Sequence, residues 1–512
     1  MVPSSPTPGN HPLPQSVAFA VGHARGVASG GLLPALRPLF ELAPGQWPTL
    51  LAVQKQTTVR TVLHGRLVDA EVHVKVFRGG KFTDTARDLL TGARGERELR
   101  NLLRARELGL PAVEPLAAGV TVDDDGKSRS FLITKTVAGA LPFTFDLAGG
   151  VPARVGALLR HAHDRGFLPG DLHPGNVVID EAGAPWLLDL TSVQHRGDPD
   201  IWRRAAALAF FCQELDAGPL DPRARVLLRS YLTAGPELPG KLREQLALAA
   251  RAVRRRALAQ FGKRAARACR HTEVLPYRHG DARWLVHRLP ETDSAHHAAC
   301  VAFAAAPPPP DKTGRRGSVW VQSQFVVKQR QTGAARKLWR ATYWLVFAKV
   351  AQPTPLALRT FDGQGLFFAR RLAGPNLATE LAGGSGSDAI VAMARTLGRS
   401  VGRLHAHGLR NRDLKFENLV RDPATGAIAM VDLDGISRKG PDDLRGQGRD
   451  LGRLLAAFRA AGDPGGERAI RAFVAAYLRA RWRLLEPVAV RRLWRAAEQR
   501  AGEWATAHAP SD

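Results

Sequence analysis

From about Thr57 apolar and polar residues alternate with the two-residue period of strands, and the clearest run is Val72-His73-Val74-Lys75-Val76-Phe77. Residues 86–108 change period: Leu89, Leu90, Leu99, Leu102, Leu103 and Leu108 recur near helical spacing, with Glu96 and Glu98 among them. The proline-bearing stretch Leu110 to Ala117 ends that helix and opens the next strand, and Phe131 to Thr136 continues the sheet. Residues 153–164 predict a helix with His161 and His163 on its surface. Asp198-Pro199-Asp200 then opens an apolar helix containing Leu208, Phe210 and Phe211, where an acidic side chain can cap the first turn or brace the loop before it. Residues 241–270 read as a strongly basic helix, most of all Arg251 to Arg256.

The succession then repeats. The run Pro307 to Pro310 is expected as a loop just before a second sheet, with Val319-Trp320-Val321 and Phe325 to Gln329 as paired strands that carry Lys328 where Lys75 stood. The stretch Asp311 to Ser318 is a glycine-bearing basic loop able to cover phosphates. A helix from about Ala334 to Val350 follows, without a single Asp or Glu, then a proline-rich exit at Gln352 to Leu358 and a strand over Gly365 to Leu372. Residues 388–407 predict a helix, and Asp450 starts another. Leu419 and Val420, with Ile428, Met430 and Val431, flank Asp422-Pro423-Ala424-Thr425-Gly426, which has the composition of a hairpin turn.

The chemistry sits at the ends of these elements. In Arg412-Asp413-Leu414-Lys415-Phe416-Glu417-Asn418 an Asp, a Lys two residues on and an Asn five residues on precede the hairpin that ends in Asp432-Leu433-Asp434. Such a set suits phosphotransfer: Asp413 to orient a hydroxyl and take its proton, Lys415 to neutralise charge on the moving phosphate, Asn418 and Asp432 to hold magnesium through hard oxygens. The hairpin brings Asn418 and Asp432 near each other, as a shared cation requires. Earlier in the chain Gly170-Asp171-Leu172-His173-Pro174-Gly175-Asn176 and then Asp189-Leu190 show the same order. The first Asp of each set, Asp171 and Asp413, lie 242 residues apart, and Asp189 and Asp432 lie 243 apart. A shared register over that distance means an internal duplication. The reading divides the chain into a disordered stretch 1–15 and domains 16–268 and 269–512, and 512 residues accommodate two domains of about 250.

Bulk properties add the class of partner. A net charge of +26 and a pI near 11.1 suit anionic partners such as a phospholipid surface or a phosphorylated glycolipid, although an Ala-, Arg- and Gly-rich genome would give the same excess. Nucleic acid is not favoured, because the run Arg251 to Arg256 has no interleaved aromatics. Cys212, Cys269 and Cys300 are too few and too scattered for a disulfide framework or a metal cluster and suit a reducing compartment. With no apolar run long enough to cross a bilayer and no signal-peptide pattern, a cytoplasmic protein is expected, with an acidic inner membrane face as a peripheral contact.

The loop resembles the catalytic loop of the protein kinase-like superfamily, with Asn411 in place of its His and Asp432-Leu433-Asp434 in place of D-F-G. Lysine in an early strand, Thr354-Pro355-Leu356-Ala357-Leu358, His405 and His407-Gly408 before the loop, and a short path to Asp450-Leu451-Gly452-Arg453-Leu454 are together similar to the bacterial lipopolysaccharide kinase family. Its members include kinases that phosphorylate 3-deoxy-manno-octulosonic acid or core heptose. The earlier loop is also similar to those of aminoglycoside and choline phosphotransferases.

The resemblance implies an α+β fold of two tandem protein kinase-like domains, each a small β-rich N-lobe and a mainly helical C-lobe, with ATP and Mg2+ as cofactors. It implies that Lys75 and Lys328 hold the nucleotide phosphates and that a helix Glu, Glu98 rather than Glu96, braces Lys75. In the second copy, which lacks a helix Glu, a neighbouring acid or Asp434 can substitute. Asp171, Asn176 and Asp189 take the roles of Asp413, Asn418 and Asp432. The 18 residues from Asp432 to Asp450 hold nothing like a peptide-docking activation segment, which favours a compact anionic sugar or glycolipid acceptor over a protein. Two other readings stand beside this one. A bacterial serine/threonine protein kinase predicts self-phosphorylation, and a pseudokinase scaffold predicts nucleotide binding without turnover.

Overall fold

The computed structural model describes residues 16–507 apart from 58–59, 68–69, 79–91, 196, 198, 216–217, 239–241, 268, 270–271, 276–281, 289–293, 385, 424, 461–464 and 482–486. The stretch 1–15 and the 86–91 part of the expected helix lie outside the described residues. Contacts divide the chain into Met1–Ala250 and Arg251–Asp512.

In the first unit β1 (Ser16–Val21) and β2 (Ala24–Ser29) form a hairpin, α1 (Leu33–Phe40) follows, and β3 (Ala52–Gln56), β4 (Arg60–Leu67) and β5 (Ala70–Phe77) form a meander. After α2 (Arg94–Glu107), β6 (Pro115–Val122) and β7 (Ser128–Lys135) complete a seven-stranded antiparallel sheet of order β1-β2-β6-β7-β5-β4-β3. The short strand β8 (Leu141–Pro142) and α3 (Val151–Asp164) lead to β9 (Phe167–Pro169), β10 (Val177–Ile179), β11 (Pro185–Leu187) and β12 (Val193–His195). Then come α4 (Ile201–Phe211), α5 (Arg225–Thr233) and α6 (Leu242–Arg264), within which the division between the units falls.

The sheet therefore starts well before Thr57. The hairpin of β1 and β2 is built largely from small residues, so it carries little alternating signal, and one aromatic anchors it: Phe19 stacks on Phe40 with ring centroids 4.5 Å apart. Phe40 and Trp47 meet Phe131 of β7 at 5.4 and 5.8 Å, forming the core on one face of the sheet. Such aromatics bring large apolar areas and favourable edge contacts.

The second unit repeats this topology strand for strand. Its sheet runs β13-β14-β18-β19-β17-β16-β15, from β13 (Thr272–Leu275), β14 (Arg283–His287), β15 (Lys312–Gly314), β16 (Gly317–Val321), β17 (Phe325–Gln331), β18 (Pro355–Phe361) and β19 (Gln364–Arg370). The helix α7 (Ser294–Ala305) lies between β14 and β15 as α1 lies between β2 and β3, and α8 (Thr332–Phe347) takes the place of α2. The proline run at Pro307 is thus inside the sheet's sequence and not ahead of it, because β13 and β14 precede it. Beyond the sheet come α9 (Leu377–Ala382), α10 (Ser387–Ala406), β20 (Leu409–Asn411), β21 (Leu419–Arg421), β22 (Ile428–Met430) and β23 (Ile436–Arg438). The chain continues through α11 (Leu444–Ala460), α12 (Gly465–Ala480) and α13 (Pro487–Ala507). Asp450 lies within α11 and is 1% exposed, so the helix starts earlier than its acidic residue suggests. α10 packs closely on α12 through Gly398, where a Cβ would stand 2.4 Å from the Phe473 carbonyl oxygen. Among the described residues no helix is long and apolar enough to cross a membrane, and the three cysteines form no disulfide.

His163 is not on the surface: it is 1% exposed, and its Nδ1 stands 2.8 Å from the hydroxyl of Tyr231 on α5. The returning helix covers a face that local periodicity left open. His161 is exposed as expected. The second unit repeats the pair, with His405 Nδ1 2.9 Å from the Tyr477 hydroxyl. Burial lowers the pKa of both imidazoles, that of His163 to about 3.

Candidate active site

In the first unit β5 runs between β4 and β7, with Lys75 opposite Val62 and Leu132, so its side chain leaves the middle of the sheet. Glu96 is used up at the start of α2, where its Oε2 accepts from the Ala93 backbone N–H at 3.2 Å. Glu98, two residues on, is fully buried, and its Oε1 lies 2.7 Å from Lys75 Nζ. Lys75 is also ion-paired with Asp189, and Arg60 Nη1 reaches the other oxygen of Asp189 at 2.9 Å. Burial works against the charge on Lys75, but Glu98 and Asp189 more than offset it and raise its pKa. Burial alone would push the Asp189 carboxyl up, yet Lys75 and Arg60 hold it at about 2. Asp189 also has φ +56°, in the left-handed region that non-glycine residues rarely occupy. Backbone strain at a carboxylate held by two cations is typical of a functional position.

The loop of the first unit is held by β9 and β12, which pair with each other. Asn176 Nδ2 donates to the Asp171 carbonyl oxygen at 2.8 Å, and the Leu188 N–H donates to the Asn176 carbonyl oxygen at 2.9 Å. The strand that ends in Asp189 is thereby tied to the loop, while the Asp171 side chain is exposed.

The second unit assembles its set differently. Lys328 Nζ lies 2.8 Å from Asp432 Oδ1 and 3.3 Å from Asp434 Oδ2, and Arg330 Nη2 lies 3.1 Å from that same Oδ2. Burial would raise the Asp434 carboxyl, but Lys328 and Arg330 lower it. Asn418 Nδ2 donates to both the carbonyl oxygen of Asp413 (3.0 Å) and its Oδ2 (2.9 Å), and the Val431 N–H donates to the Asn418 carbonyl oxygen at 3.0 Å. Lys415 is half-buried at the start of the turn Phe416–Asn418. The loop is anchored from behind, where Arg410 Nη2 pairs with Asp450 Oδ1 at 2.9 Å. A cavity of about 580 Å³ opens here between the turn Gly314–Gly317 and the hairpin β21–β22. Val319, Val326, Leu372 and Val420 give it apolar walls, and Lys328 and Asp432 line it too.

Arg60 and Arg330 were not singled out from sequence. Arg330 follows Lys328 by two, so the strand period puts both on one side of β17, a signal that was available. Arg60 reaches Asp189 across 129 positions, and no local pattern marks it. Asp200, as expected, caps α4, accepting from the Arg203 N–H at 2.8 Å, but the ion pair beside it joins Arg204 to Asp164 at 2.7 Å and does not brace the loop with an acid.

A curated relative, the 3-deoxy-D-manno-octulosonic acid kinase of Actinobacillus succinogenes (strain ATCC 55618 / DSM 22257 / CCUG 43843 / 130Z), is 28% identical over 140 residues. That match takes in 25% of this chain and 58% of the relative, so the chain spans little more than half the length of the relative it matches. Among solved structures, "WaaP in complex with acyl carrier protein" is 19% identical with a TM-score of 0.31, covering 43% of this chain and 95% of that one. "Glucosamine kinase (crystal form B)" is 19% identical with a TM-score of 0.28, covering 47% of this chain and 88% of that one. The lipopolysaccharide kinase (Kdo/WaaP) family model matches residues 52–210, which hold β3 to β7, the Lys75–Glu98–Asp189 cluster and the loop from Asp171 to Asn176. Residues 52–210 are thus similar to the lipopolysaccharide kinase (Kdo/WaaP) family.

Proposed function

We propose that this chain is an ATP-dependent phosphotransferase that passes the γ-phosphate to a hydroxyl of a sugar or lipid-linked sugar, with one site in each unit. The observation that carries this reading is the convergence, in both units, of a sheet lysine on the aspartate that follows the loop: Lys75 on Asp189 and Lys328 on Asp432. In the first unit the buried Glu98 holds the lysine as well.

Lys75 and Lys328 then meet the α- and β-phosphates, and the apolar walls of the second cavity suit a planar base. The donor sets fit magnesium. Asn418 and Asn176 each turn their amide nitrogen toward the loop aspartate, which leaves Oδ1 for a cation, and Asp432 and Asp189 supply hard carboxylate oxygens. Asn418 with Asp432, and Asn176 with Asp189, would hold the magnesium, which would supply neutralising charge at the phosphates. Asp413, or Asp171 in the first unit, orients the acceptor hydroxyl and takes its proton as the new O–P bond forms. The bond from the γ-phosphorus to the β–γ bridging oxygen breaks with its electron pair leaving on ADP, and Lys415 stabilises the transferring phosphoryl. The relative's named acceptor is a carboxylated sugar, and a net charge of +26 supports an anionic acceptor or an acidic lipid surface near it.

The test is magnesium-dependent ATP turnover with and without a lipid A-core glycolipid, for the wild-type chain and for Asp171→Asn and Asp413→Asn. Stimulation by the glycolipid and loss in at least one variant are expected. Self-phosphorylation on Ser or Thr in place of glycolipid stimulation would favour a protein kinase, and nucleotide binding with no turnover would favour a scaffold.

A further inference from the structure

We infer that Asp434, held by Arg330, is the positioning residue for Lys328 in the second unit and replaces there the carboxylate that Glu98 supplies from a helix in the first. The inference rests on the proposed nucleotide site and names how its lysine is held.

The two clusters contain the same charges built from different positions. The first has Lys75 and Arg60 against Asp189 and Glu98; the second has Lys328 and Arg330 against Asp432 and Asp434. Matched strand for strand, every member that differs is exchanged. Lys75 and Lys328 lie opposite Val62 and Val319 in their ladders, so Arg60 and Gly317 hold the same place two residues earlier. An arginine cannot occupy that place in the second unit, because Gly317 has φ +122° and a Cβ there would stand 2.1 Å from the Gln329 carbonyl oxygen. The second cation comes instead from Arg330, where the first unit has Phe77. The helix α8 has no acidic residue from Thr332 to Phe347, and the second carboxylate comes from Asp434, where the first unit has Thr191.

A buried cation needs a compensating carboxylate, so loss of one has to be matched by gain of another nearby. The consequence is mechanical. In the first unit Lys75 is tied to a helix, whereas in the second both carboxylates stand two residues apart on one turn. When Asp432 is engaged by magnesium, Asp434 keeps Lys328 and Arg330 directed at the phosphates.

The sign of one effect separates this role from a bystander's. A carboxylate that merely sat near bound phosphates would repel them, and its loss would tighten ATP binding. A positioning carboxylate gives the reverse. The experiment is calorimetric titration of ATP, with and without magnesium, into the full chain with its first site disabled by Lys75→Met and Asp189→Asn. Asp434→Asn is expected to weaken ATP about tenfold in both conditions, and Asp434→Glu to restore it. Asp432→Asn is expected to weaken binding only when magnesium is present. Arg330→Met should reproduce the loss, and the double variant should add nothing further; it also serves as the independent reading if Asp434→Asn does not melt cooperatively. Unchanged or tighter binding by Asp434→Asn, with Lys328→Met still abolishing binding, would overturn the inference and leave the nucleotide site standing. Full binding by Lys328→Met would remove the site itself and this inference with it.

Discussion

Arg410 stands directly behind the second loop and pairs with Asp450 of α11 at 2.9 and 3.2 Å, with Asp450 almost wholly buried. Its other terminal nitrogen meets Asp443 at 2.9 Å, and His405 flanks Asp450 at 3.4 Å. The strand that carries the loop is thereby fastened to the helical core. Removing Asp450 leaves the largely buried Arg410 only the more exposed Asp443 as a partner. Asp450→Asn should therefore cost about 3 kcal/mol of stability, and a double variant with Arg410→Met less than the sum of the two single changes. Urea melts of the full chain would check this; an unaltered midpoint for Asp450→Asn would show that the pair does not brace the loop.

Glu96 and Glu98 separate capping from chemistry within one turn of helix. In a chain whose second site is disabled by Asp413→Asn, Glu98→Gln should lower ATP turnover at least tenfold, because Lys75 loses its buried partner. Glu96→Gln should leave turnover near wild type and cost at most about 1 kcal/mol at the helix start. Steady-state kinetics and thermal melts on the two variants decide it, and equal kinetic losses would contradict the assignment.

Asp189 couples the first site to acid stability. Its folded pKa of about 2 lies below its ordinary value of 3.8, so its contribution is present above about pH 4 and is lost as pH falls from there toward 2. The shift corresponds to roughly 2 kcal/mol. Asp189→Asn should flatten that acid limb in denaturant titrations. Asp189→Ala should be less stable than the Asn variant by about 1 kcal/mol, since Asn tolerates the left-handed backbone better than Ala.

His163 predicts a second pH dependence, nearer neutrality. It folds neutral with a pKa of about 3 against an ordinary 6.5, so the unfolded chain binds the extra proton and stability falls as pH drops below 6.5. The slope from this one group reaches about 1.4 kcal/mol per pH unit. His163→Gln should remove that slope between pH 6 and 4, as followed by melting temperature. An unchanged slope would mean that the ring is protonated in place.

Much of the site was legible because it is local. Asp171 to Asn176 and Asp413 to Asn418 are each confined to one tight loop, and the hairpin from Leu419 to Met430 joins Asn418 to Asp432 through adjacent strands. Lys75, Lys328 and the helices at 151–164 and 387–406 announced themselves by periodicity. The hairpin of β1 and β2 did not, since short strands of small residues carry little alternation and are held by pairing and by the single contact of Phe19 with Phe40.

Local order along the chain carries the repeated succession of lysine strand, helix, loop and metal-type aspartate, and with it the proposed class of chemistry, since those features depend on near neighbours. Tertiary structure alone decided which charges meet. Sheet register brings Arg60 to Asp189, helix rotation turns Glu98 inward and Glu96 to the cap, and the return of α5 buries His163 against Tyr231. Asp434 answers the missing helix acid only because β17 places Lys328 and Arg330 together in front of it. Such pairings span tens to more than a hundred residues, and a buried charge takes whichever partner the fold brings within reach.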